Sequence, residues 1–473
     1  MENVLFFPIW LVSPHFETDL ELMINEMEDG NNVYFLFCKK DLKICENKIF
    51  NISCNKCKKI RKRILSMFII KYFDKIKIIN LGKYSKIYTK TNFPNSICNI
   101  NKLRELKFDS FDIGYAIASS LAEEIDRSSF SDCQEKITKY FSEAINFYRC
   151  IKSIIDDYKI TKGYIFNARF CFSRAFFQAF LDKNTIIYTH DRGATVNKYV
   201  IVKNKLLHDI NDYVERVNTL WDNEPDIFLK KNISDIFFKK RYLGEETNYI
   251  SFTAIQKTLK LPDEINKYNK IIAIFSSSDF EYTNAGKEYL SNYYLSQEDG
   301  INKIVESLKN EKDIGIFLRE HPNQKKRINA QREGLRKIRA DNFYLIPAES
   351  DISSYKLLFN AHIVISFNST MGIEATYWGV PSILCANAMY DKLDIVYKPK
   401  SHEEVIKLIK SELKPVVSDG VYKYGYYNSM FGINYKYYKP INLFEGVFLG
   451  MDIYTKKYYL DLFYYIMKKV MFL

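Results

Sequence analysis

Ile363-Val364-Ile365-Ser366-Phe367-Asn368-Ser369-Thr370-Met371-Gly372-Ile373-Glu374-Ala375 decides the fold class. A short β-branched run breaks into small polar residues and passes straight into a helical pattern. That pattern ends at Tyr377-Trp378-Gly379, and Val380-Pro381-Ser382-Ile383 opens the next strand. Strand, polar loop, helix and strand at this spacing are the repeating unit of a parallel sheet covered by helices. Ligands of such sheets sit beyond the carboxyl ends of the strands, which marks Ser369 and Thr370 as binding positions. The amides at the helix start suit an anion. Glu374, one turn on, is either an acceptor for ribose hydroxyls or a first-turn acid that complements the helix dipole.

The same pattern extends upstream. Ile271-Ile272-Ala273-Ile274-Phe275 ends in Ser276-Ser277-Ser278-Asp279, with Glu281 close behind, and Ile314-Gly315-Ile316-Phe317-Leu318 ends in Arg319-Glu320-His321-Pro322-Asn323. Hydroxyls of Ser277 and Ser278, the Arg319 guanidinium, the His321 ring and the Asn323 amide can all donate to phosphate or ribose oxygens, while Pro322 stiffens the loop. Phe343-Tyr344-Leu345-Ile346 adds one more strand.

An earlier series reads the same way. Val4 to Phe7 and Val33 to Phe37 are strands around a helix from His15 to Glu28, and further helices are expected over Asp109–Ile125 and Glu135–Tyr158. Gly163-Tyr164-Ile165-Phe166-Asn167 delivers Asn167 and Arg169 at a strand end, and the next strand releases Thr189-His190-Asp191-Arg192-Gly193. A carboxylate, an imidazole and two guanidinium groups at adjacent strand ends suit transfer to a sugar hydroxyl, which needs a base or a carboxylate nucleophile at the anomeric carbon and cations to neutralise the departing phosphate. Asp191 is the expected carboxylate, with His190 and Arg169 beside it; the alternative is a structural ion pair with Arg169 or Arg192. Asn167, Arg192, Ser119 and His208 are expected on the acceptor side.

The polar stretch between Leu220 and Lys270 places an interdomain crossing there, giving domains 1–245 and 246–415 and a tail, 416–473, expected to be helical. That tail is dense in Tyr, Phe and Lys, as in Tyr435-Lys436-Tyr437-Tyr438-Lys439 and Tyr464-Tyr465-Ile466-Met467-Lys468-Lys469. It either lies at a bilayer surface or packs back on the first domain.

Composition bounds the function classes. At 473 residues, 47% hydrophobic and 27% charged, the chain is a folded protein of two or three domains. Its apolar runs are strand-sized and no cleavable leader precedes them, so a cytoplasmic protein is expected. The charge of +12, from 69 Lys+Arg against 57 Asp+Glu, favours anionic partners or merely reflects a Lys-, Ile- and Asn-rich composition. It is diffuse and without a nucleic-acid motif, so no nucleic-acid partner is expected. Nine cysteines do not suggest a disulfide framework. Cys38, Cys45, Cys54 and Cys57 cluster, either as a structural zinc site or as small hydrophobes.

The run Asn167-Ala168-Arg169, His190-Asp191-Arg192-Gly193, Ser276-Ser277-Ser278-Asp279, His321-Pro322 and Ser369 to Ala375, closed by Trp378-Gly379-Val380-Pro381, resembles bacterial capsule and lipopolysaccharide biosynthesis glycosyltransferases of the GT-B superfamily. The resemblance implies two Rossmann-like domains facing a central cleft, with donor nucleotide in the second and acceptor in the first. Transferases using CMP-activated sialic acid or Kdo are similar in a His-Pro pair and a later Ser-Ser or Ser-Thr pair, here His321-Pro322 and Ser369-Thr370. Their acidic-acidic-Gly motif has no clear copy: Asp191-Arg192-Gly193 carries Arg in the second place, and Glu28-Asp29-Gly30 fits by letter but closes a helix.

The expectation is a metal-independent, nucleotide-sugar-dependent glycosyltransferase of surface-polysaccharide assembly. A CMP-sugar donor is favoured over a UDP-sugar, and no cofactor is required. Its acceptor is a glycan or glycolipid, with peripheral contact at the inner membrane. The rivals are a UDP-sugar 2-epimerase-like enzyme and a non-catalytic nucleotide- or glycan-binding partner.

Overall fold

The computed structural model describes residues 1–47, 52–72, 74–85, 93, 97, 99–124, 133–245, 251–253, 256, 260–278, 284–325 and 330–454. Asp279, Glu281 and the aromatic run at Tyr464–Lys469 lie outside the described residues. The chain divides into two compact units, Met1–Glu124 with Phe130–Leu207 and Phe431–Leu473, and His208–Met430 with Ile125–Ser129.

Unit 1 is built from β1 (Asn3–Phe6), α1 (His15–Glu28), β2 (Asn32–Phe37), α2 (Cys54–Tyr72), β3 (Ile76–Asn80), α3 (Ile113–Glu124), α4 (Gln134–Asp157), β4 (Lys162–Phe166), α5 (Cys171–Asp182), β5 (Ile186–Arg192) and β6 (Lys198–Lys203). The parallel strands lie in the order β3-β2-β1-β4-β5, and β6 pairs antiparallel with β5. This is the doubly wound order, with its topological switch between β1 and β4.

Unit 2 begins with α6 (Ile210–Asp222) and α7 (Ile227–Leu243). It continues through β7 (Lys270–Phe275), α8 (Gln297–Leu308), β8 (Ile314–Arg319), β9 (Phe343–Ile346), α9 (Ser354–Asn360), β10 (Ile363–Ser366), α10 (Met371–Tyr377), β11 (Ser382–Leu384), α11 (His402–Lys410) and α12 (Gly420–Met430). Its strand order, β9-β8-β7-β10-β11, is the same winding, wholly parallel, with the switch between β7 and β10. Both faces are buried: Ile272 and Ile274 belong to one apolar cluster, and Ile271, Ala273 and Phe275 to the other. That accounts for strands that read as unbroken apolar runs.

The α/β class is therefore as expected, but the boundaries differ. The division falls at Leu207/His208 and Met430/Phe431 rather than at 245/246 and 415/416. Helices α6 and α7 belong with unit 2 because α12 packs on them. The Ser234 hydroxyl donates to the Tyr422 carbonyl at 2.6 Å, and a side chain at Gly425 would meet Ser234 at 2.9 Å.

The described tail is not a helical extension beyond α12. It forms β12 (Ile433–Asn434), which pairs antiparallel with β6, and a hairpin of β13 (Tyr438–Pro440) and β14 (Gly446–Phe448). The Glu21 carboxylate of α1 accepts the backbone amides of Lys436, Tyr437 and Tyr438 at 2.6, 2.8 and 3.1 Å. Tyr435 and Tyr438 meet Thr18 and Ser13 at 2.6 and 2.7 Å. Through Tyr454 the aromatic residues thus pack back on unit 1. No helix among the described residues is long and apolar enough to cross a membrane.

Candidate functional site

In unit 2 the loops after three neighbouring strands converge. Ser276 follows β7, His321 follows β8, and Ser369 and Thr370 follow β10; with Arg241 of α7 they line a cavity of about 110 Å³. The Ser276 hydroxyl accepts the His321 amide at 3.0 Å and donates to the Arg319 carbonyl at 3.3 Å, which ties the two strand ends together. His321 Nδ1 accepts the Asn323 amide at 3.3 Å. That assigns the proton of the neutral ring to Nε2, making it a donor. Burial first, and then the nearby Arg319 and Arg241, hold His321 down at about 4, so the ring is neutral at physiological pH.

Arg241 is the residue that sequence reasoning missed. Its Nε and Nη2 donate to Glu374 at 3.0 and 2.8 Å, and Nη2 also reaches Thr370 Oγ1 at 3.1 Å. Glu374 is 1% exposed and accepts from Tyr355 as well. It therefore does not offer a carboxylate to the cavity; it anchors a guanidinium whose Nη1 has no protein acceptor among the described residues. This partnership, with burial opposing it, raises the Arg241 pKa above its ordinary value.

Of the amides at the start of α10, those of Met371 and Gly372 are engaged, whereas those of Ser369 and Thr370 have no hydrogen-bond partner among the described residues. Met371 N donates to Ser369 Oγ at 3.3 Å and Gly372 N to Ser369 O at 3.2 Å. Gly372 is required here, since a Cβ would lie 2.4 Å from the Tyr390 hydroxyl that fixes Ser369 O at 2.6 Å. An anion in this cavity can therefore meet the Ser369 and Thr370 amides as well as side chains.

The remaining expected donors divide. Pro322 lines the cavity, whereas Ser277, Ser278 and Asn323 do not. Ser278 Oγ donates to Asn323 Oδ1 at 2.6 Å, pinning one loop to the other. The Ser277 amide donates to Gln297 at 2.9 Å and its carbonyl accepts from Gln331 at 2.7 Å. Arg319 lines the cavity, but its terminal nitrogens serve the Pro347 and Ser350 carbonyls. Burial lowers it to about 10, which still leaves it a cation at neutral pH.

In unit 1, β5 outruns β4: Phe166 pairs with His190, so Asp191 and Arg192 remain within the strand rather than beyond it, past the end of β4. Asn167 and Ala168 take left-handed backbone, φ 56° and 57°. Asn167 Nδ2 donates to Asp191 Oδ2 at 2.7 Å, and the Arg192 amide donates to Oδ1 at 2.7 Å. His15, at the start of α1, brings Nδ1 to 3.7 Å from Asp191 Oδ1. This is not an ion pair. Burial, then Arg192 and His190, hold the His15 pKa well below its usual value, and burial raises Asp191.

The other expected catalytic groups have different partners. His190 is 0% exposed and its Nε2 lies 2.8 Å from Asp19 Oδ1, so it serves the core. The Arg169 guanidinium lies over the Phe170 ring at 4.6 Å. Arg192 donates to the Leu443 carbonyl at 2.9 Å and covers Phe444, a contribution of the tail. Ser119 is buried in α3, and His208 belongs to unit 2, where its carbonyl accepts from Tyr289 at 2.6 Å. Among the described residues, four buried atoms around Asp191 have no hydrogen-bond partner: His15 Nδ1, Asn167 Oδ1, His190 Nδ1 and Arg192 Nε. His15 and Asp19 were invisible as site residues because both read as ordinary positions of an amphipathic helix.

Cys38, Cys45, Cys54 and Cys57 are free thiols on one small cavity. Among the described residues no three His, Cys, Asp or Glu side chains are arranged to hold a metal ion.

No protein-family model and no curated protein matches the chain. Among solved structures it is similar to the β-Kdo 2,4-transferase KpsC of Thermosulfurimonas dismutans, at 11% identity over 57% of this chain and 79% of that one, TM-score 0.38. It is also similar to the UDP-GlcNAc 2-epimerase of Neisseria meningitidis, at 12% identity over 91% and 94%, TM-score 0.28. A third similarity is to the kitacinnamycin glycotransferase, at 10% identity over 90% and 94%, TM-score 0.25. Likenesses this distant assign no chemistry to the chain.

Proposed function

We propose that the chain is a glycosyltransferase of surface-polysaccharide assembly, moving a sugar from a nucleotide-activated donor to a glycan or glycolipid acceptor. Each unit has one task. The unit 2 cavity takes the donor's phosphate: Arg241 supplies charge through Nη1, His321 Nε2 a neutral hydrogen bond, and the loop after β10 the Ser369 hydroxyl with the Ser369 and Thr370 amides. The observation that carries the reading is Arg241, held by buried Glu374 at 2.8 Å with a donor left over for a ligand.

Unit 1 supplies the base. Asp191 accepts the acceptor's hydroxyl proton as that oxygen bonds to the anomeric carbon, and the bond from the anomeric carbon to the phosphate oxygen breaks. Burial that raises Asp191 makes it a stronger base than an exposed carboxylate. The negative charge that develops on the leaving phosphate is the charge Arg241 offsets, without a metal ion. A CMP-linked acidic sugar is the favoured donor, and the inner-membrane face the favoured place of work. Epimerisation is the weaker reading because Glu320 and Glu374, the carboxylates beside the His321 and Thr370 loops, are committed to Arg332 and Arg241.

Thermal-shift titration with CMP, UDP, GDP and their sugars tests the donor half, since a ligand of the native state raises its melting temperature. A rise with one nucleotide family is expected; no rise with any removes the proposal.

A further inference from the structure

Arg61 of α2 is a buried cation without a counter-charge. Its side chain is 1% exposed, Nη2 donates to the Pro8 carbonyl at 2.6 Å, and Nε has no partner among the described residues. No carboxylate among the described residues lies within ion-pair distance of it; Asp19, the acid whose field reaches it, is held by His190 at 2.8 Å. A buried guanidinium left this way is costly unless something else supplies the charge.

Arg61 lines a second cavity, of about 30 Å³, in unit 1, between the end of β1, the segment after β2 and the first turns of α2. Among the described residues the charged groups on its wall are Arg61 and Lys40, both cationic, and no acid. The Asn47 carboxamide on the same wall is spent on Ile9 O and Leu11 N. The remaining polar groups are the thiols of Cys38, Cys45, Cys54 and Cys57, among apolar side chains such as Phe7 and Ile52. The volume is that of about two water molecules, enough for a carboxylate group and too small for a sugar ring.

We propose that this cavity binds a carboxylate against the Arg61 guanidinium. The planar fork of arginine matches a planar two-oxygen anion. A free organic acid and the carboxylate of an acidic sugar share that chemistry. The inference is independent of the donor site in unit 2 and stands whether or not the chain transfers sugars.

The thiols on the wall are the reporters. The full-length protein is alkylated with iodoacetate or with neutral iodoacetamide, and modification of Cys38 and Cys54 is followed by peptide mass spectrometry, with glutathione as the free-thiol reference. The iodoacetate-to-iodoacetamide rate ratio should exceed that of glutathione about tenfold, the factor expected of one charge-assisted hydrogen bond. Arg61→Met should bring the ratio back to the glutathione value. Should that variant not fold, protection of the wild-type thiols from iodoacetamide decides, at constant ionic strength. Protection by acetate supports a free acid, and protection by glucuronate but not by acetate or glucose supports a sugar-borne carboxylate. A wild-type ratio equal to that of glutathione with no protection, or protection by phosphate as strong as by carboxylates, overturns the proposal.

Discussion

The two units wind their strands in the same order, yet treat the polar groups at their strand ends differently. In unit 1 those groups satisfy one another: His190 with Asp19, Asn167 with Asp191, Arg192 with the Leu443 carbonyl, leaving single valences open around Asp191. In unit 2 a buried carboxylate holds Arg241 by one edge and leaves the other to a cavity of about 110 Å³. Polar residues at the end of a parallel strand thus mark a position, and the partners they have already found decide what a ligand can use. The first arrangement suits a poised base, the second a site for an anion.

The sharpest way to break this contrast is Asp191→Asn. It should lower sugar transfer by about 10²–10⁴-fold, the usual worth of a general base, while the nucleotide-induced melting shift stays as in wild type. Unchanged turnover, read by product formation from a sugar nucleotide and glycan, would make Asp191 a structural partner of Asn167.

Arg241→Met comes next. It should abolish the nucleotide shift and destabilise the fold by about 1–3 kcal/mol, less than a fully buried pair because the arginine side chain is a third exposed. Chemical denaturation measures the loss. Adding Glu374→Gln should recover most of that stability but none of the binding, which separates the ligand role from the packing role.

His321→Ala should weaken nucleotide binding about tenfold, as expected for the loss of one neutral donor to an anionic acceptor, with little change in melting temperature. Calorimetric titration checks it.

The smallest effect is that of pH. Held at about 4, His321 does not change charge between pH 6 and 8, so its variants should leave the pH profile of nucleotide affinity unaltered there. For stability, the unfolded ring binds a proton near pH 6.5 and the folded one near 4. Stability is therefore lost as pH falls from about 6.5 to 4, and His321→Gln should flatten that decline in melting temperature.

Much of the unit 2 frame was legible because its strands are apolar on both faces and break abruptly into Ser276, His321 and Ser369. Arg241 was not, since its helix precedes Glu374 by more than a hundred residues and only folding joins them. Glu17, Asp19 and Glu21 are acids of α1, yet all are at most 1% exposed, covered by the tail and by His190. The Tyr-rich tail carried no strand alternation strong enough to reveal β12 to β14, because its backbone amides are held by Glu21 and its tyrosines by Ser13 and Thr18. The boundary at Leu207/His208 lacks Pro or Gly punctuation, while the polar stretch that suggested a crossing near 245 follows α7, already inside unit 2.

The most direct test is calorimetric titration of CMP, UDP and their sugars into wild type and into the Arg241→Met, Glu374→Gln double variant. Saturable binding of one nucleotide family by the wild type, lost in a variant that still unfolds cooperatively, is the predicted result. Equal affinity in both proteins, or no binding by the wild type, contradicts Arg241 as the phosphate ligand.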